Sequence, residues 1–193
     1  MPPLNLPSFL PFNIQSFLET NAHLLAPPIN NTLLYQAGGM TVMLVGGPNA
    51  RNDFHINVTP EFFYQVKGGM VLRVMEPLSE PDEKGRMERR KDIRIGEGEL
   101  FFLPGNTPHN PIRFADTVGI VIELARPEGS VDRLRWYCER EECGEVVFED
   151  SFVCTDLGTQ IKAAVQAYAG DEEKRRCSKC GGVNGVAGPA IEF

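Results

Sequence analysis

The chain has 193 residues, 42% of them hydrophobic, enough for one domain with a core of its own. A formal charge of -7 at pH 7 excludes the surplus of clustered Lys and Arg that draws a protein to nucleic acid or to an anionic membrane. The opening stretch MPPLNLPSFLPF has no basic region and no long apolar run, so the expectation is a cytosolic protein with neither signal peptide nor membrane span.

Over residues 13–25, Ile14, Phe17, Leu18 and Leu25 fall on one side at helical spacing, with Asn13 as a cap and PPINN as a stop, and predict a leading helix. From about 32 to 125 the pattern changes to short β-rich runs (TLLYQ, MTVMLVGG, EFFYQVKGG, MVLRVMEP, KDIRIGEG, ELFFLPGN, TVGIVIELARP) separated by Gly, Pro, Asn and Asp. Such runs predict an all-β sandwich or barrel, and the lack of intervening helical patterns disfavours a parallel α/β sheet. The charged stretch SEPDEKGRMERRKDI, 79–93, reads as a solvated loop or hairpin tip. RPEGSVD, 126–132, resembles a linker, which divides the chain into a domain over 1–130 and an extension over 131–193. The extension begins with short extended segments and ends with a helix from about 158 to 173.

The chain has three histidines. His23 reads as a surface residue of the leading helix. His55 precedes Glu61 by six residues, and His109 follows a Pro-Gly-Asn turn after the apolar run ELFFL. Two imidazoles and one carboxylate on one face of an ion suit non-haem Fe(II), because they leave coordination positions open. The alternative is that His55 and His109 are unrelated loop residues. Arg51 and Arg113 lie near these two histidines in sequence, and a guanidinium offers a planar fork of donors to a carboxylate. Glu123 ends the apolar run GIVIE, where it either turns to solvent or carries a function that justifies a buried charge.

All five cysteines lie in the last third of the chain. Cys177-x2-Cys180 is followed by two glycines, as in a metal knuckle, and Cys138-x4-Cys143 offers a second pair with spacing that zinc sites also use. Four thiolates suit zinc or iron, and a structural staple is the expected role. Free buried thiols are the alternative, and Cys154 reads as one.

The segment from Gly47 to Gly68 resembles the first cupin motif, with His55, Glu61 and Gly68 in place and Asn57 where many cupins carry a second histidine. Gly98, Pro104 and His109 resemble the second motif, with Asn106 for a usual glycine and Arg113 where asparagine is common. Together VGGPNARNDFH, PEFFYQVKG, FFLPGNTPHNPIR, IVIE, RWYC and the late CxxC resemble the 3-hydroxyanthranilate 3,4-dioxygenase family across essentially the whole chain. The resemblance implies an all-β cupin fold, a double-stranded β-helix or jelly-roll barrel, with a few flanking helices. It implies Fe(II) on His55, Glu61 and His109, a carboxylate-bearing substrate on Arg113 with Glu123 beside it, and Arg51 on the oxygen side of the iron. Glu61 or Glu123 would accept the substrate's hydroxyl proton. A second Fe or Zn would sit on Cys138, Cys143, Cys177 and Cys180, and the protein would be a homodimer. The reaction implied is ring opening of 3-hydroxyanthranilate by O2 to 2-amino-3-carboxymuconate semialdehyde, the precursor of quinolinate on the route to NAD. Two competitors remain: another cupin enzyme, such as a thiol or acireductone dioxygenase or an isomerase, which would not need both arginines, and a non-catalytic binding module with the cysteine tail as its contact.

Overall fold

Short runs of alternating polarity, punctuated by glycine and asparagine turns, pair as antiparallel strands because each run has one face to bury and a tight turn at its end. The computed structural model describes residues 10–27, 30–188 and 193. Its strands are β1 (Asn31–Ala37), β2 (Met40–Gly46), β3 (Phe54–Ile56), β4 (Glu61–Lys67), β5 (Met70–Pro77), β6 (Glu88–Ile95), β7 (Leu100–Leu103), β8 (His109–Arg113), β9 (Val118–Leu124), β10 (Val131–Tyr137) and β11 (Val146–Val153). They form a five-stranded sheet in the order β1-β2-β9-β4-β7 and a six-stranded sheet in the order β11-β10-β3-β8-β5-β6. This is the all-β architecture of two antiparallel sheets expected from the sequence.

The main core lies between the sheets, where Phe63, Leu103 and Val121 of the first meet Met70, Leu72, Val74 and Ile95 of the second. Each such side chain contributes about 1.5–3 kcal/mol when fully buried. The leading helix α1 (Ile14–Asn21) covers the outside of the first sheet, and Asn13 caps it by accepting from the Ser16 N-H at 2.9 Å. It is shorter than the 13–25 expected, because residues 22–25 tighten into a 3-10 turn that drives Leu25 into the core. A Cβ on Gly46 would overlap the Leu25 carbonyl, so only glycine permits this approach.

The charged stretch is a correction in part. Residues 78–87 do form a loop, closed by Leu78 N-H to Met87 O at 2.8 Å, but Glu88–Lys91 belongs to β6. β6 is an edge strand, where charged side chains are tolerated, and Arg89 and Lys91 both pair with Glu76 on the neighbouring β5. The late helix also differs from its expected span. It ends as α2 (Leu157–Ala169) at Gly170 and restarts as the short α3 (Glu172–Arg175).

The expected boundary at 126–132 coincides with the turn between β9 and β10. Beyond it β10 pairs with β3, Leu134 opposite His55, so the second sheet takes strands from both sides of that turn. α2 packs on β10 and β11 through Ala164 and Tyr168 against Leu134 and Trp136, with the Trp136 and Tyr168 rings stacked at 4.2 Å.

Candidate active site

His55 on β3 and His109 on β8 are direct cross-strand partners in the second sheet, and Glu61 opens β4 in the first. The two sheets therefore bring the imidazoles and the carboxylate together from opposite walls of the barrel. The Glu61 Oε1 atom lies 3.3 Å from His109 Nε2 and 3.9 Å from His55 Nδ1, and one donor atom from each residue falls within 4.8 Å of the others. All three side chains are buried. Burial works against the Glu61 carboxylate, but His109 and His55 outweigh it and hold its pKa below the ordinary value. Burial lowers the pKa of His55, whereas for His109 the Glu61 charge overcomes burial and raises it.

The two histidines are oriented through their remote nitrogens. His109 Nδ1 faces the Thr107 carbonyl at 3.0 Å, and His55 Nε2 faces Asp132 Oδ2 at 2.7 Å. Asn57 is turned inward as well, but an amide is a poor substitute for imidazole as a metal ligand. It donates instead to Glu61 Oε1 at 2.8 Å, fixing that carboxylate. Asn106 adopts φ 60°, a conformation asparagine tolerates better than most residues, and its N-H reaches the Asn57 carbonyl at 2.6 Å. Two imidazoles and a carboxylate with buried surroundings match what a divalent metal of borderline softness requires.

The arginines differ from one another. Arg51 is engaged by Asp53, with Nε at 2.9 Å from Oδ1 and Nη2 on Oδ2. Asp53 is fully buried; burial opposes its charge, and Arg51 nevertheless holds its pKa down. Among the described residues Arg113 has no carboxylate partner. Its Nη1 donates to the Gln65 side-chain oxygen at 3.2 Å, and burial pulls its pKa down to about 10 against the attraction of Glu61. A Cβ on Gly119 would collide with both Gln65 Oε1 and Arg113 Nη1, so glycine makes the room for this buried cation. A cavity of about 520 Å³ is bordered by Arg51, Asn110 and Arg113, and another of about 570 Å³ by Ile56, Phe101 and Arg133; neither is bordered by the His55, Glu61 and His109 side chains.

The sequence itself settles the kinship. The family model described as 3-hydroxyanthranilic acid dioxygenase matches residues 7–169. Curated proteins called 3-hydroxyanthranilate 3,4-dioxygenase are 60% identical in Podospora anserina, over 90% of this chain and 88% of that protein, and 58% identical in Aspergillus niger, over 88% and 89%. This chain belongs to the 3-hydroxyanthranilate 3,4-dioxygenase family. The protein of that name from Yarrowia lipolytica is 56% identical over 90% of this chain and 95% of its own length. Among solved structures, a cupin-2 domain containing protein from Shewanella frigidimarina aligns over 50% of this chain and 79% of its own, at 17% identity and a TM-score of 0.37.

In this member of the dioxygenase family Glu123 points inward, opposite Glu61 across β9 and β4. Burial and the Glu61 charge push its pKa up to about 7, opposed by Arg126, whose Nη2 lies 3.1 Å from Oε2. A carboxyl raised on folding stabilises the fold below its unfolded pKa and loses that contribution as pH rises through its folded pKa. From 4.5 to about 7 is a shift of roughly 2.5 units, or about 3 kcal/mol at pH 8. Glu123→Gln, with the barrel metal removed, should therefore be more stable than the parent by up to about 3 kcal/mol at pH 8 and by little at pH 5. Urea unfolding at the two pH values checks this, and an equal effect at both would refute it.

The four cysteines expected to form a second site do converge. Cys138 Sγ is 3.6 Å from Cys180 Sγ, and Cys143 Sγ is 3.7 Å from Cys177 Sγ, with all four within 4.8 Å. Burial pushes the Cys138 thiol up to about 12, while the Gly182 N-H brings Cys180 down to about 7. Cys154 stands apart from the cluster and burial raises its pKa. Among the described residues no helix is long and apolar enough to cross a membrane.

Sequence reasoning missed Asp53, Asp132, Arg126 and Gln65. Asp132 was the most accessible of these, since it shares one face of β10 with Leu134 and Trp136 by the period of two, and that face is buried.

Proposed function

We propose that this chain is an Fe(II)-dependent ring-opening dioxygenase that converts 3-hydroxyanthranilate and O2 to 2-amino-3-carboxymuconate semialdehyde, the precursor of quinolinate. The observation that carries this reading is the His55, Glu61 and His109 cluster together with Arg113, a buried cation without a carboxylate partner among the described residues, in a chain of this family. A substrate bearing a carboxylate supplies the missing anion.

His55, Glu61 and His109 would hold the iron on one face. The metal supplies the electron exchange between the aromatic ring and dioxygen that no side chain offers. Arg113 binds the substrate carboxylate through its guanidinium fork and so sets the orientation of the ring. Glu123, whose pKa of about 7 suits a group that takes and returns protons near neutrality, accepts the proton of the substrate hydroxyl. Asn57 keeps Glu61 directed at the metal position. Arg51, whose Nε and Nη2 are held by Asp53, would supply a fixed positive charge to the oxygen side of the metal position. Phe63, Val74 and Leu103 line the adjoining core and exclude water.

The four-cysteine cluster belongs to the same reading as a zinc or iron staple for the extension over 131–193. A homodimer does too, and the exposed Tyr64, Leu100 and Phe102 on the outer face of β4 and β7 are the apolar surface it would cover. Five free thiols fit a cytosolic setting.

The test is oxygen uptake by iron-loaded protein offered 3-hydroxyanthranilate, cysteine or an acireductone. One O2 consumed per 3-hydroxyanthranilate, with the other two inert, is the expected result. Turnover of a thiol or acireductone in its place would move the protein to a different cupin activity.

A further inference from the structure

We propose that Arg126 and Asp132 are positioning residues that lock the tautomer and ring orientation of His55 and tie that histidine to Glu123. The proposal rests on the assignment of His55 as a metal ligand. Asp132 is fully buried at the start of β10, one residue before the stretch that pairs with β3, so strand pairing delivers it to His55. Its Oδ2 lies 2.7 Å from His55 Nε2, and Arg126 Nε bonds both carboxylate oxygens, Oδ1 at 2.8 Å and Oδ2 at 2.9 Å.

A carboxylate only accepts, so the hydrogen of the neutral His55 ring sits on Nε2 and the lone pair is on Nδ1, the nitrogen that faces Glu61. The Thr107 carbonyl imposes the opposite tautomer on His109 and leaves the lone pair on Nε2, which also faces Glu61. Both histidines thereby present bare nitrogens to one point, although they reach it through different ring atoms. Without Asp132 nothing among the described contacts of His55 selects its tautomer.

Arg126 does more than neutralise Asp132. It follows Glu123 by three residues, and its Nη2 approaches Glu123 Oε2 at 3.1 Å without hydrogen-bond alignment, leaving that buried nitrogen with no bonded acceptor among the described residues. One guanidinium therefore spans the carboxylate behind the metal ligand and the carboxylate on the substrate side. Orienting partners of this kind change metal affinity by about 10- to 100-fold when removed.

The experiment is Mn(II) binding to protein whose cysteine site is loaded with zinc, counted from the electron paramagnetic resonance signal of the free aqua ion. Mn(II) favours nitrogen and oxygen ligands over thiolate, so it reports the barrel. Asp132→Asn should weaken Mn(II) binding at least about 10-fold and lower the Nε2-H fraction of His55 seen by nitrogen-15 NMR. Arg126→Gln should weaken it several-fold, and it carries the test if Asp132→Asn does not fold. Affinity within twofold of the parent in both folded variants, with only thermal stability reduced, would overturn the proposal and leave the pair a structural contact. If His55→Ala itself keeps Mn(II) at parent affinity, the metal-ligand assignment fails and the proposal falls with it.

Discussion

Arg113→Met is expected to lower kcat/KM for 3-hydroxyanthranilate by about 10²- to 10³-fold while leaving the metal-free fold at least as stable as the parent. The two halves of this prediction have one cause. Arg113 is only 5% exposed, and among the described residues its side chain bonds an amide oxygen rather than a carboxylate. Its desolvation is uncompensated until an anion arrives, so the free protein loses little when the charge is removed, whereas the complex loses a charge-assisted fork. Arg113→Lys should recover only part of the activity, since a point charge cannot reproduce the bidentate geometry. Steady-state kinetics with thermal melts in parallel decide the matter. An unchanged KM would remove Arg113 from substrate binding.

Cys177→Ser should abolish metal at the cysteine cluster and lower the melting temperature by about 10 °C, corresponding to roughly 3–5 kcal/mol for a chain of this size. Four sulfur atoms within 4.8 Å cannot all ionise without a cation between them, and Cys138 and Cys177 are almost completely buried. The cluster also closes the end of β10. Cys138 directly follows that strand, and Asn184, beyond Cys180, bonds both the Tyr137 carbonyl at 2.9 Å and the Tyr168 hydroxyl at 3.0 Å. A ligand lost at residue 177 therefore loosens the strand that bears Asp132. Metal analysis with calorimetry reads both effects; unchanged metal content and melting temperature would show that the cysteines are ordinary buried thiols.

The strands with clean alternation were legible from sequence. EFFYQVK and VGIVIEL each show one buried and one half-exposed face, and both became strands of the first sheet. β3 and β8 were not, because FHI is three residues long and HNPIR turns polar groups inward toward the site, which hides the apolar signal that marks a strand. His109 accordingly read only as the residue after a Pro-Gly-Asn turn, when it is part of the ladder opposite His55. The metal-site candidates were legible because so few histidines are available. Their supports were not: Asp132 is 77 residues from His55, and only the pairing of β10 with β3 brings the two together. Glu123 was recognisable as a charge ending an apolar run and Arg113 by its place near His109, but which of the two arginines lacks a carboxylate among the described residues depends on Asp53, two residues from Arg51, and that pairing is a matter of side-chain geometry.

The most direct test of the central claim is an iron titration of protein whose barrel has been stripped of metal and whose cysteine site is loaded with zinc. Under anaerobic conditions Fe(II) is added in steps, then 3-hydroxyanthranilate and air, and the conjugated semialdehyde and its decay to quinolinate are recorded. Activity that rises in proportion to iron and saturates at one equivalent per chain, with none in His55→Ala, is the result predicted. Full activity before iron is added, or none once the barrel is saturated, would contradict the account.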